Sequence, residues 1–390
     1  MEERRLTNPL LYLMAVGAGL VIANLYYNQP LLHQMAETYQ VSASAVSNIP
    51  LSTQLGYALG LLLIVPLGDK FSHKRIMMVD FAVIVLSLLL AATANSLTLL
   101  IITSFFIGFS SVVPQLFVPM AALLADDKNQ GRAIGIVMSG LLIGILGSRL
   151  ISGLVGEYFG WRSMYYLAAG LMVVYWIVLN DKLPELHPDF KGSYSSLMKS
   201  IGHYFRKEGS IRLAALRGGL GFAAFSAFWT TLVFLMEGSF GYGSAVTGSF
   251  GLLGILGALA ASAVGKISDR VNKEQLITVS TLVMSLSWGV FLVSENSIVG
   301  LIVGVLLVDL GLHALHITNQ YIIFSKNPEA RNRVNTIYMV GYFTGGAIGT
   351  TTGAWVWEAY KWPGVCVLGL TYSVLILAFH FQEIKFFGKT

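Results

Sequence analysis

Long apolar stretches recur along the chain at the spacing of membrane-crossing helices. A helix needs about 20 mostly apolar residues to cross a bilayer, and short polar connections separate twelve such stretches. We number these predicted spans 1 to 12 in chain order: residues 9–29, 47–68, 75–94, 98–124, 132–156, 163–180, 212–236, 245–265, 274–293, 298–324, 333–357 and 363–382. The pattern predicts an all-α membrane protein with twelve transmembrane helices.

The longest polar stretch separates the first six spans from the last six. We therefore expect a six-helix bundle over residues 1–181, a cytoplasmic linker over 182–211 and a second six-helix bundle over 212–390. Within the linker, residues 194–205 place four apolar side chains on one side of a helix: Leu197, Met198, Ile201 and Phe205. This pattern predicts a short amphipathic helix on the inner leaflet, with a regulatory role as the alternative.

Composition and charge support this topology. The chain is 55% hydrophobic and 12% charged, about half the charged fraction of soluble domains. With the N-terminus inside, all but three of the 25 Lys and Arg residues fall in cytoplasmic connections, tails or helix ends. The exceptions are Arg149, Arg162 and Lys361. Because cytoplasmic loops of membrane proteins carry such a positive bias, we expect both termini inside, and the net charge of +5 requires no nucleic-acid partner.

The two halves of the chain share landmarks at a constant offset near 200 residues. Five residues in and after span 5 recur 201 positions later: Arg132, Gly140, Gly144, Glu157 and Trp161 correspond to Arg333, Gly341, Gly345, Glu358 and Trp362. Asp69 recurs as Asp269, 200 positions later. A duplicated six-span unit predicts two pseudo-symmetric bundles with a binding site at their interface, near the middle of the membrane.

The connection after span 2 contains Leu67, Asp69, Lys70 and Lys74, together with Val65 and Ser72. It resembles the loop signature of the major facilitator superfamily: the first four residues match that signature, whereas Val65 and Ser72 stand where it has glycine. The second copy keeps the first glycine as Gly265 and contains Asp269 and Arg270. The resemblance implies that this loop helps to latch one conformation of the two halves, and we place Arg132 and Arg333 in the same gating set. An ordinary charged loop is the alternative.

Span 5 resembles the glycine-and-proline signature of the superfamily's proton-driven exporters, with Arg149 in place of proline. Small residues such as Gly144 and Gly153 allow helices to pack closely, and we assign both to the gating set. The permanently charged guanidinium of Arg149 serves either the cavity and its gate or a structural pairing at the outer rim. The runs around Tyr26 and Phe228 resemble bacterial twelve-span drug:proton antiporters and sugar-efflux-like proteins.

The resemblance implies that spans 1, 4, 7 and 10 line a central cavity. Polar and aromatic residues on these spans are the substrate-binding candidates: Asn24, Tyr27, Asn28, Gln115, Phe225, Trp229 and Gln320. Hydrogen bonds between helices are the alternative role for the amides, and packing is the alternative for the aromatic residues.

Span 10 carries the most unusual chemistry of the chain. Asp309, His313, His316 and Gln320 follow one another at offsets that keep them on one helix face. An acid near the centre of a membrane helix costs roughly 2.5–3.5 kcal/mol and needs a partner, a proton or water. We therefore predict that Asp309 couples transport to protons, together with His313 and His316. A static brace between helices is the alternative, and we expect no metal.

The sequence contains no G-x-x-x-x-G-K-[ST] phosphate loop and no nucleophile–base set typical of an enzyme. We therefore expect a non-enzymatic, cofactor-free monomer in the bacterial inner membrane. The resemblance implies a secondary transporter that exports a small organic solute in exchange for protons. A proton-coupled importer or uniporter of sugars or metabolites is the first alternative, and a non-transporting receptor or lipid scramblase is the second.

Overall fold

The computed structural model describes residues 6–126, 129–185, 192–254 and 271–387. Within these ranges every regular element is a helix. The predicted spans of the first half correspond to the following elements: Asn8–Ala23 with Gln29–Leu31 and Leu32–Tyr39 (span 1), Ala43–Val46 with Asn48–Leu63 and Val65–Asp69 (span 2), His73–Ala92 (span 3), Leu97–Ser110 with Val113–Leu124 (span 4), Gln130–Phe159 (span 5) and Trp161–Lys182 (span 6).

A linker helix, Tyr194–Lys207, leads to the second half. Its spans correspond to Gly209–Phe240 (span 7), the start of span 8 at Ser244–Ser249 and Phe250–Leu252, Lys273–Val293 (span 9), Ile298–Lys326 (span 10) and Arg331–Phe387 (spans 11 and 12). The last element changes direction at Lys361, whose φ of 54° and ψ of −153° are not helical. Gly160, between spans 5 and 6, occupies the matching place with φ 80° and ψ 154°.

Glycine contacts repeat in the two halves and confirm the pseudo-symmetry. A Cβ on Gly144 of span 5 would overlap the backbone of Gly19 in span 1, and a Cβ on Gly345 of span 11 would overlap the backbone of Gly219 in span 7. Each half therefore fixes its first and fifth spans by the same close backbone contact, which only glycine permits. Gly144 thus packs within the first half.

Apolar side chains cover the outside of the bundle. Leu123, Ile143 and Val79 are 71%, 69% and 60% exposed, whereas aromatic and aliphatic residues such as Phe81 and Met284 are fully buried. A soluble protein would not present so many large apolar residues to water. The exposed belt is the surface that meets lipid.

The two ends of the bundle differ in charge. We call the end whose connections carry Glu37, Glu157, Glu237, Glu295 and Glu358 the acidic end, and the opposite end the basic end. The linker helix lies at the basic end, where the Tyr194 hydroxyl donates to the Leu63 carbonyl at 2.9 Å and Arg333 donates to Ser200 Oγ at 3.1 Å. Leu197 and Ile201 are buried by protein, whereas Phe205 is 49% exposed, so this helix packs against both halves with part of its apolar face.

Candidate transport site at the seam between the halves

Two groups of spans form the contact between the halves, which we call the seam. On one side, span 2 meets span 11 and span 7: Gln54 Nε2 donates to Ser226 Oγ at 3.4 Å, and the rings of Tyr57 and Phe343 are 4.5 Å apart. Gln115 of span 4 donates to the Tyr57 hydroxyl at 3.3 Å. Gln115, a predicted substrate residue, therefore reaches the seam through Tyr57.

On the other side of the seam, span 5 meets span 8 at glycine. A Cβ on Gly153 would overlap the Ser244 carbonyl, and a Cβ on Gly248 would overlap the Arg149 carbonyl. The Ser244 hydroxyl also donates to the Gly153 carbonyl at 3.0 Å. The structure thus places Gly153, predicted as a gating residue, where the backbones of the two halves touch.

Contacts with matching positions in the two halves close the acidic end. The Glu157 carboxylate, after span 5, accepts from the Ala245 N–H at the start of span 8 at 2.7 Å. The Glu358 carboxylate, after span 11, accepts from the Ser44 N–H at the start of span 2 at 2.8 Å. Carboxylates favour helix N-termini because the first N–H groups there lack partners within the helix. Glu157 and Glu358 are 201 residues apart, and so are Ser44 and Ala245. The two bonds therefore form a symmetric pair, which we call the glutamate clamps.

Arg149 lies deep in the seam. It is 1% exposed, its Nε donates to Gln29 Oε1 at 2.7 Å, and its Nη1 donates to the Ile145 carbonyl at 3.3 Å. The guanidinium carbon lies 4.7 Å from the ring centroid of Tyr26 and 4.1 Å from that of Trp229. Because Trp229 belongs to span 7, Arg149 joins the two halves. The alternative of a pairing at the outer rim does not describe this position.

Asp309 also lies at the seam and does not face lipid. It is 1% exposed, and a Cβ on Gly254 of span 8 would lie 3.5 Å from its Oδ2. The same Cβ would overlap Leu146 of span 5, so the carboxyl borders both halves. It lies within electrostatic reach of His313 and Arg149. Helix positions place Asp309 and Arg149 at a similar depth, about 15 Å from the acidic ends of their helices.

Three buried polar atoms at this place have no hydrogen-bond partner among the described residues: Arg149 Nη2, Asp309 Oδ2 and Trp229 Nε1. Buried polar groups are normally paired, because an unpaired one costs about 1–3 kcal/mol. Two donors and one acceptor left open around one buried spot are typical of a site that receives a ligand, a proton or water.

The four polar residues predicted on one face of span 10, which we call the polar stripe (Asp309, His313, His316 and Gln320), have different partners. The His313 ring bonds to the backbone carbonyl of Asp309 at 2.8 Å, and not to its carboxylate. His316 Nδ1 bonds to the Tyr338 hydroxyl of span 11 at 2.9 Å, and Gln320 donates to Asn335 at 3.2 Å. His316 and Gln320 therefore hold span 11 within the second half, while Asp309 lies beside Gly254 and Leu146 where spans 8 and 5 meet.

Span 1 differs from the sequence prediction. Its α-helix ends at Ala23, and turns with hydrogen bonds to the third residue before follow over the next five residues, so the α-helical face assumed for Asn24, Tyr27 and Asn28 is not formed. Asn24 donates to Met172 Sδ at 3.6 Å, and Asn28 donates to Thr53 Oγ1 at 3.3 Å, both within the first half.

Tyr27 borders a groove of about 540 Å³ that is lined by spans 1, 5 and 6. Tyr26 and Gln29, which are not among the predicted substrate residues, contact Arg149. The helix break that turns them toward span 5 carries no clear sequence signal beyond Pro30.

Span 7 supplies an aromatic row to the seam. Phe222 and Phe225 stack with centroids 5.8 Å apart, and Phe225 lies 6.0 Å from Trp229. Phe222 also stacks on Tyr342 of span 11 at 4.2 Å. The structure thus places Phe225 against Trp229, and Trp229 against Arg149. Phe222 and Tyr342 were missed, although the spacing of 222, 225 and 229 follows one helix face.

The predicted gating residues at the basic end have different neighbours, and one of them faces the other half. Asp69 lies within electrostatic reach of Arg333 in the other half, and Lys70 lies over the ring of Phe71 at 5.7 Å. Lys74 lies within electrostatic reach of Asp181, and Arg132 borders a small pocket beside Asp126. Asp269 and Arg270 lie outside the described residues.

Two pseudo-symmetric bundles of membrane-crossing helices that enclose a buried acid and a buried guanidinium at their interface define a multi-pass membrane transporter. Residues 14–350 match the Major Facilitator Superfamily, and the chain belongs to that family. The predicted fold of two six-helix bundles is thereby confirmed, as is the prediction that the chain is not an enzyme.

Similar proteins agree with this assignment. The uncharacterized transporter YgaY of Escherichia coli O157:H7 is 38% identical over 387 residues, which cover 98% of each chain. Multidrug resistance protein D of Escherichia coli K12 is 29% identical over 234 residues, 58% of each chain. The crystal structure of a mutant of the nucleoside transporter NupG superposes with a TM-score of 0.79 at 15% identity, covering 97% of this chain and 100% of that one. This last likeness concerns the fold alone.

Proposed function

We propose that the chain is a proton-coupled secondary transporter that moves a small organic solute across the bacterial inner membrane by alternating access. The observation that carries this proposal is the Asp309 carboxyl, buried at the seam with Oδ2 unpaired among the described residues. A charged carboxylate in a dry interface is costly unless it is paired or protonated. Proton occupancy of Asp309 and packing of the two halves therefore depend on each other.

The coupling step follows from what covers Asp309. With spans 5 and 8 in contact, Leu146 and Gly254 cover the carboxyl, and the neutral form is favoured. When these spans separate, water reaches Asp309 and solvates the charged form. We propose His313 as an accessory proton group because it lies one turn away. His316, which bonds to Tyr338, becomes a brace of span 11 in this mechanism.

We propose that the basic end faces the cytoplasm, because Lys and Arg concentrate in cytoplasmic loops. Asp69 and Arg333 then form a cytoplasmic latch across the halves, supported by the linker helix through Ser200. The two glutamate clamps hold the outer end closed. Lys70, Lys74 and Arg132 add the positive charge that orients this end.

For direction, we propose efflux in exchange for protons, supported by the similarity to multidrug resistance protein D. Proton-coupled uptake is a second candidate, favoured by the buried Arg149 at the seam. When Asp309 is protonated, the charge of the guanidinium lacks its nearby counter-charge, so an anion bound there would travel with the proton.

The test uses proteoliposomes with an internal pH-sensitive dye and a panel of solutes. The expected result is solute-dependent proton movement for wild type and its loss in Asp309→Asn, while solute exchange without a gradient continues. His316→Gln is the matched control, since it removes a titratable group of the same helix that is bonded within the second half. Gradient-driven transport by Asp309→Asn at the wild-type rate would remove Asp309 as the proton carrier.

A further inference from the structure

The buried guanidinium of Arg149 has one nitrogen without an acceptor. Its Nε is taken by Gln29 and its Nη1 by the Ile145 carbonyl, while Nη2 has no partner among the described residues. Arginine stays charged in proteins, and burying it with open N–H groups is unfavourable without a compensating acceptor. The aromatic rings of Tyr26 and Trp229 lie on the guanidinium and supply attraction, but no hydrogen-bond acceptor.

The groups around Arg149 Nη2 limit which ligand could accept its hydrogen bond. Trp229 Nε1 is a second open donor, and Asp309 Oδ2 is an open acceptor that becomes a donor when protonated. The other buried arginine of the described ranges, Arg217, bonds to His380 of span 12 at 3.0 Å and precedes Trp229 by twelve residues of the same helix, about 18 Å. Arg149 is thus the only buried arginine or lysine near this spot in the described part of the chain, so its permanent charge suits a ligand with one negative charge.

The remaining lining is aromatic. Phe225 lies against Trp229, and Phe222 and Tyr342 continue the row along the seam. Such a wall favours an apolar or planar body. A phosphate, with up to two charges and no apolar part, fits this combination of one guanidinium and an aromatic wall less well than a carboxylate does.

We propose that the transported solute is a monocarboxylate with an aromatic or other apolar body, whose carboxylate binds Arg149 Nη2 and Trp229 Nε1. This inference rests on the proposed transport function in its uptake form, in which solute and proton move together, and it specifies the substrate class. Binding of the anion satisfies both open donors and balances the charge of Arg149 while Asp309 is neutral. The site thereby discriminates against the matching amide, which lacks the charge.

The test measures binding and requires no transport. Purified protein is heated with a panel of aliphatic and aromatic monocarboxylates, benzoate and phenylacetate among them, and with the corresponding amides. We expect at least one carboxylate to raise the unfolding temperature of wild type while its amide does not. The shift should vanish in Arg149→Gln and persist in part in Arg149→Lys, which keeps the charge. Arg149→Lys also serves as the check on folding, since it retains the buried cation.

Three outcomes would overturn the inference: no carboxylate stabilises wild type, the stabilising compounds are neutral or cationic, or carboxylate stabilisation survives in Arg149→Gln. The Asp309→Asn variant separates this inference from the proposed function. If Asp309→Asn still binds the carboxylate but moves protons normally, the proton assignment fails and the substrate class stands. If it loses proton movement while wild type ignores carboxylates, the substrate class fails and the proton assignment stands.

Discussion

The two glutamate clamps at the acidic end allow a quantitative test of alternating access. Glu157 and Glu358 each bond to a backbone N–H in the first turn of a helix of the opposite half. Replacing both by alanine removes the bonds and leaves the remaining seam contacts intact. We therefore expect the acidic end to open more often.

The size of the effect follows from the bond type and its exposure. A hydrogen bond to a charged group contributes about 1.5–3 kcal/mol when buried, and a charge at an exposed helix N-terminus about 0.3–1 kcal/mol. Both clamps are exposed to solvent, so about 1 kcal/mol each is appropriate. The clamps share no residues, and their effects should add. Two clamps at about 1 kcal/mol each correspond to a roughly thirtyfold shift in the closed-to-open equilibrium, since about 1.4 kcal/mol is tenfold.

The measurement is the distance distribution between spin labels at Asn95 and Asn296, exposed connections of opposite halves at the acidic end. Labels are attached to introduced cysteines after the buried native thiol is removed by Cys366→Ala. The double alanine variant should populate a longer distance than wild type. Glu295→Ala, which removes an acid of the same end outside the clamps, should leave the distribution unchanged. Equal distributions in wild type and the Glu157→Ala, Glu358→Ala variant would refute the clamp argument.

Two further changes test the repeat and the seam. Lys361→Gly should stabilise the protein by about 1 kcal/mol, because a positive φ strains a residue with a side chain by about 1–3 kcal/mol. Gly160→Lys should destabilise the protein by a similar amount. Thermal unfolding in detergent measures both changes, and a lower unfolding temperature for Lys361→Gly would contradict the strain. Gly153→Ala should slow transport at least about tenfold, because the added Cβ meets the Ser244 carbonyl. Gly147→Ala is the control, since a Cβ there meets open space, and it should not slow transport. Equal solute fluxes through the two variants would contradict the close contact at Gly153.

The amphipathic and apolar patterns predicted the helices well because helix formation depends on residues that are close together in the sequence. The linker helix was expected over 194–205 and is Tyr194–Lys207, and most spans begin and end within a few residues of their predicted limits. Helix formation in a membrane requires internal backbone hydrogen bonds, so a long apolar stretch leaves the chain few alternatives.

The site was predicted only in part because it depends on contacts between halves. The residues predicted on span 1 were chosen for a continuous helix over residues 9–29. The α-helix ends at Ala23, and Tyr26 contacts Arg149. The stripe of span 10 was correct as a helix face, but span 11 takes His316 while the seam takes Asp309. The sequence identified Arg149 as unusual because it is charged within a span. Its partner Gln29, 120 positions away, could not be inferred from spacing.

The central claim is that Asp309 exchanges a proton when solute binds and the halves rearrange. The most direct measurement is proton uptake or release by purified protein in weak buffer, followed with a pH-sensitive dye while a transported solute is added. We expect one proton to be exchanged for each bound solute in wild type and none in Asp309→Asn, although that variant still binds the solute. Equal proton exchange in wild type and Asp309→Asn would show that Asp309 is not the proton carrier.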